Sequence, residues 1–79
     1  MPIIMTVNPI TTNAYALQIY KLGMRRLAAR DGFLGVPAEY YIPVEQYAAT
    51  NYGITVIDSA FSKGYLNEQE YNETISYIV

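Results

Sequence analysis

Residues 54–78 read ITVIDSAFSKGYLNEQEYNETISYI. The stretch spells a helix, a sharp stop and a second helix, and it decides the fold class. Gly64 follows the last apolar turn, Ala60 and Phe61. A glycine there can take the left-handed conformation that closes a helix, and Lys63 complements the carbonyl end of the helix dipole. Asn67 then stands three residues before Glu70, the spacing of a capping box with an amide oxygen in place of a hydroxyl. Glu68 and Glu70 put negative charge where the first turn has free N–H groups. Tyr71, Ile75 and Ile78 recur at helical spacing, which predicts a helix over 68–78. Three turns are too few to be stable alone in water, so its apolar face needs the preceding helix or another chain.

Working backwards, Pro43 suits a first helical turn, with Glu45 just inside it. Val44, Tyr47, Ala48, Ile54, Ile57 and Phe61 share one face. This predicts a helix from 43 or 44 to about 63, with a break near Asn51–Gly53 as the alternative. Ahead of it, Thr11, Thr12 and Asn13 are candidate N-caps. The proline-free run to Arg30, with Leu17, Tyr20, Met24, Leu27 and Ala28 in a stripe, predicts a first helix from 12 or 13 to 30. Asp31-Gly32 ends it as a turn. Residues 31–43 (DGFLGVPAEYYIP) form an ordered connector, where Tyr40 and Tyr41 are either an exposed patch or a lid over the core. Residues 1–10 (MPIIMTVNPI) read as an extended apolar arm, because Pro2 and Pro9 oppose a helix through them. Ile3, Ile4 and Val7 would pack along their own domain or strap a neighbour. The expectation is therefore an all-α fold, with an arm over 1–10 and one helical domain over 11–79. It comprises a helix hairpin of two long antiparallel helices and a short third helix.

Residues 61–75 (FSKGYLNEQEYNETI) resemble the ending x-K-G-x-I-T-x-E-E-Y-x-x-I of small phage tail proteins of the XkdX type, and the short oligomerisation modules that close many bacterial chains. Lys63, Gly64, Leu66, Glu68, Glu70, Tyr71 and Ile75 carry the match. Asn67 departs from it, standing where threonine or serine is usual. The resemblance implies a non-enzymatic structural role in a virion or tail assembly.

The totals lean the same way. A chain of 79 residues buries only about 60–65 per cent of its unfolded surface and is marginal without help. It has no cysteine and no histidine, so disulfides, the usual zinc ligand sets, Ser-His-Asp triads and cysteine nucleophiles are excluded. No catalytic residue, metal ligand or cofactor site is expected. Charged residues make up 15% against about 25% in ordinary domains. Nine tyrosines supply contact area with a polar tip, as interfaces favour. Tyr40, Tyr41, Tyr65, Leu66 and Tyr71 are the candidate contacts, with copies of this chain or other virion proteins as partners. Charge is divided. Lys21, Arg25, Arg26 and Arg30 give residues 1–30 a balance of +4, and Lys63 against seven acids gives the rest −6. These four cations have three readings: nucleic-acid contact, head-to-tail packing against an acidic end, or a solvated face paired inside the chain. The runner-up function is an adaptor binding nucleic acid or a partner helix. Asp58, alone in an apolar stretch, is read as pointing outward or pairing with a first-helix arginine. No apolar run approaches the roughly 18 residues of a membrane span. No signal peptide is expected either, which implies synthesis in the cytoplasm and, in the phage setting, residence in the virion.

Overall fold

The C-terminal turn follows from local rules. A computed structural model of the chain describes residues 7–78, and in it Gly64 has φ +83°. The Gly64 N–H donates to the carbonyl of Phe61 and the Tyr65 N–H to that of Ala60, the paired bonds of a Schellman motif. Asn67 Oδ1 accepts from the Glu70 N–H at 2.7 Å, and Glu70 Oε1 accepts from the Asn67 N–H at 3.0 Å. The expected capping box is thus complete.

The described residues form an all-α fold of four helices: α1 (Pro9–Ala16), α2 (Tyr41–Asn51), α3 (Gly53–Ser62) and α4 (Glu68–Ser76). A π-helical turn, Leu17–Lys21, continues α1, and a 3₁₀ turn, Ala38–Tyr40, leads into α2. α1 packs on α2, α4 on both α2 and α3, and the π-helical turn on α3. The core between them includes Ala16, Ile19, Tyr20, Val44, Ala48, Ile57, Ala60 and Leu66.

The first helix differs most from expectation. It starts at Pro9, because Asn8 is extended and its side chain accepts from the Ile10 and Thr11 N–H groups. Pro9 needs no N–H partner at the first helical position. The arm therefore does not reach residue 10. Residues 1–6, with Ile3 and Ile4, lie outside the described residues.

The helix also stops nine residues early, at Lys21. Gly23 has φ +69°, and a Cβ there would stand 2.3 Å from the Tyr65 ring. The chain turns at this point so that Tyr65, 42 positions on, can lie against its backbone. Residues 24–30 then run beside 33–36. The Arg26 N–H donates to the Leu34 carbonyl, and Val36 N–H to that of Leu27. Arg30 and Phe33 exchange both backbone bonds. Asp31 and Gly32, at φ 54° and 82°, make the mirror-image turn that Asp-Gly favours in hairpins. The expected stripe of Leu17, Tyr20, Met24, Leu27 and Ala28 therefore does not exist. The buried face is Thr12, Ala16, Ile19 and Tyr20, while Leu17 and Met24 are exposed.

The single long second helix is likewise two. Gly53, at φ +77°, separates α2 from α3, and the change of direction turns Ile57 and Ala60 inward. Ile54 and Phe61, placed on the core face by a continuous helix, are exposed. On α4 the most buried positions are Glu70 and Thr74, with Tyr71 and Ile75 half-buried beside them.

Candidate interaction surfaces and a buried acidic cluster

The basic residues do not form a surface stripe. Arg30 is the clearest case. Its Nη1 and Nη2 each lie 2.9 Å from a Glu70 carboxylate oxygen, and Nη2 also donates to the Tyr65 carbonyl at 3.3 Å. This bidentate pair ties the hairpin to α4, the geometry in which guanidinium–carboxylate bonds are strongest. Glu70 thereby closes the capping box and clasps Arg30 at once. Arg25 donates to Gln18 Oε1 at 2.7 Å and to the Gly35 carbonyl at 2.8 Å, with its guanidinium 5.0 Å above Tyr15. Arg26 is buried. It donates to the carbonyls of Gly23 and Arg25 and stacks 3.8 Å from Phe33. Among the expected cations of residues 1–30, Lys21 alone stands exposed, with its amine 4.5 Å over the Tyr52 ring. Pairing within the chain is thus realised by Arg30, while Arg25 and Arg26 bind carbonyls instead of acids.

The tyrosines divide. Tyr40 is buried, and its hydroxyl accepts from the Asn8 N–H at 2.9 Å, so it is a lid and not a patch. Tyr41 is half-buried beside it, and Leu66 is buried. Tyr65 is half-buried against Gly23. Tyr71 stacks on Phe61 with ring centres 4.5 Å apart, and its hydroxyl donates to Asp58. That bond, ahead of burial, raises the Tyr71 phenol above its ordinary range. Asp58 points outward, as expected, with Tyr71 as partner and no first-helix arginine. Val7 packs against the core and lines an open cleft of about 370 Å³ between α1 and α2.

Between α2 and α4 lies a cluster that sequence reasoning missed. Glu45 is 1% exposed, and its Oε2 has no hydrogen-bond partner. Burial, then a hydrogen bond to Glu73, then the charges of Glu73 and Glu70, push its carboxyl up to about 8. Nearby, the Tyr20 hydroxyl meets Thr74 Oγ1 at 2.7 Å, and Thr74 donates onward to the Glu70 carbonyl at 2.8 Å. Thr74 uses its one hydrogen there, so Tyr20 is the donor of the pair. Burial raises the Tyr20 phenol well above its usual range despite that bond. The signal for Glu45 was present in its spacing. It stands three and four residues before Ala48 and Ala49, on the face that α2 buries, and not at a solvated first turn.

Exposed apolar residues are spread along the chain, with Leu34, Ile42, Ile54 and Phe61 among them, and one group falls close together in sequence near the start of the described residues. Ile10, 80% exposed, Ala14 and Leu17 follow one another at helical spacing along α1 and into the π-helical turn, and Leu22 and Met24 (60% exposed) come just after that turn. Among the described residues no group of three or more acidic, histidine or cysteine side chains is placed to hold a metal ion. No described helix is long and apolar enough to cross a membrane. No family model, curated protein or solved structure matches the chain.

Proposed function

We propose that this chain is a non-enzymatic structural subunit that works through protein–protein contacts inside a larger assembly. The observation that carries the reading is the exposed apolar row of Ile10 and Ala14 on α1 and Leu17 at the start of the π-helical turn, followed in sequence by Leu22 and Met24. A small chain that exposes such a stripe in sequence, while turning its arginines inward, has surface suited to another protein. A second copy of this chain is the occupant we assign to it, and further proteins of the same particle bind elsewhere. A phage tail or virion is the setting implied by the resemblance of residues 61–75, on which it rests. The internal bonding of Arg25, Arg26 and Arg30 supports this reading over nucleic-acid binding, since a phosphate would have to displace Gln18, Gly35 or Glu70.

Light scattering and circular dichroism across concentration test the proposal. The wild-type chain is expected to self-associate at micromolar concentration. A variant carrying Ile10→Glu and Leu17→Glu, both at exposed sites, is expected to stay helical and become monomeric. A wild-type chain that remains a stable helical monomer at every concentration overturns the proposal.

A further inference from the structure

We infer that the cleft between the π-helical turn and α3 receives the acidic outer face of α4 from a second copy. The cleft, about 320 Å³, is lined by Tyr20, Lys21, Thr55, Val56, Ser59 and Lys63. Thr55, Ser59 and Lys63 recur every four residues along α3, so two hydroxyls and an amine share one side. Lys21 faces them from the π-helical turn, 34 to 42 positions earlier in the sequence. These are the chain's two lysines, and the three arginines are bonded internally. Neither lysine forms an ion pair among the described residues, and no acid lines the cleft. Arg26 and Lys63 both lie over the Tyr65 ring, 5.5 and 5.8 Å from its centre.

The complement is on the same molecule. Glu68, Gln69, Asn72 and Glu73 are all exposed on α4, although Glu73 also bonds to Glu45 and Gln69, and none of them lines the lysine cleft. Two different surfaces that fit each other make a head-to-tail contact, which propagates into a ring or a filament. Lys21 lies one helical turn beyond Leu17, so the cleft continues the apolar stripe. Apolar burial supplies the area, and the charges set the orientation. This inference rests on the self-association proposed above and names its surfaces.

Charge exchange tests it. Lys21→Glu with Lys63→Glu forms one variant, and Glu68→Lys with Asn72→Lys the other, each checked for native helicity. Each alone is expected to associate about tenfold or more weakly than wild type. Mixed together they are expected to associate, because the first offers an intact α4 and the second an intact cleft. Wild-type association unaffected by either variant would overturn the surface assignment while leaving self-association standing. Failure of the wild type to associate would remove both. Inorganic phosphate shifting the lysine resonances of a chain that stays monomeric would overturn it in favour of a small-anion site.

Discussion

Two glycines stop two helices in this molecule, and only one of the stops can be read locally. Around Gly64 every participant lies within ten residues: the Schellman carbonyls of Ala60 and Phe61, then Asn67 and Glu70 of the capping box. Around Gly23 the decisive neighbour is Tyr65, 42 residues away, and the segment that follows is held by Arg30 on Glu70, 40 residues away. The first stop is a property of a short peptide. The second is a property of the assembled fold, and it overrides a run, Met24–Arg30, that favours helix by composition. The two regions meet: the ring that packs on Gly23 and the acid that clasps Arg30 both belong to the C-terminal turn.

Matched substitutions separate the two kinds of stop. Gly23→Ala meets both a left-handed backbone and the Tyr65 ring, and is expected to lose about 3 kcal/mol in urea unfolding. Gly64→Ala has the same backbone sign but open space around it, and is expected to lose only about 1–2 kcal/mol. Equal losses would break the distinction.

Next comes the clasp. Glu70→Ala removes the ion pair and half of the capping box together, and is expected to cost about 3 kcal/mol. Arg30→Ala leaves the cap intact and is expected to cost about 2 kcal/mol, since the arginine is partly solvated. A double-mutant cycle showing no coupling would detach the hairpin from α4.

Glu45 sharpens the comparison through pH. The folded chain keeps its proton to about pH 8, whereas the unfolded chain releases it near 4.5. Between those values the folded state binds more protons, so stability falls as pH rises through the window. The slope is at most about 1.4 kcal/mol per pH unit. Glu45→Gln is expected to remove that slope and to be the more stable protein at pH 8. Thermal unfolding at pH 5 and pH 8 measures it, and an unchanged slope in the variant would exclude Glu45 as its source. The smallest effect belongs to Asn67→Ala, a cap loss of about 1 kcal/mol, visible as reduced helicity with the arginine clasp retained.

Read from residues alone, the helical class, the Gly64 stop and the Asn67–Glu70 cap were all legible. They depend on hydrogen bonds between near neighbours in sequence. The end of the first helix was not legible, because a glycine within a helical run does not record which distant group, here the Tyr65 ring, will pack against it. Asp31-Gly32 carries the usual mark of a hairpin turn, but the helical composition of Met24–Arg30 reads equally as a helix ending in the same turn. The break at Gly53 stood as an alternative, and helical spacing alone had no means to choose it. Of the candidate surface, the basic residues were legible as a cluster, but their partners were not. Arg30 finds Glu70, and Arg25 and Arg26 find carbonyls, only after the hairpin folds back.

What the sequence by itself determined is therefore local: where α4 begins, where α3 ends, and the absence of cysteine and histidine chemistry. Tertiary structure alone decided that α1 yields to a hairpin, that Glu45 lies in the dark between α2 and α4, and that two lysines are left facing one cleft. The physical reason is range. Caps and turns close over a few residues, whereas burial, charge pairing and ring packing join groups forty positions apart, and no periodicity along the chain records which of those groups will meet.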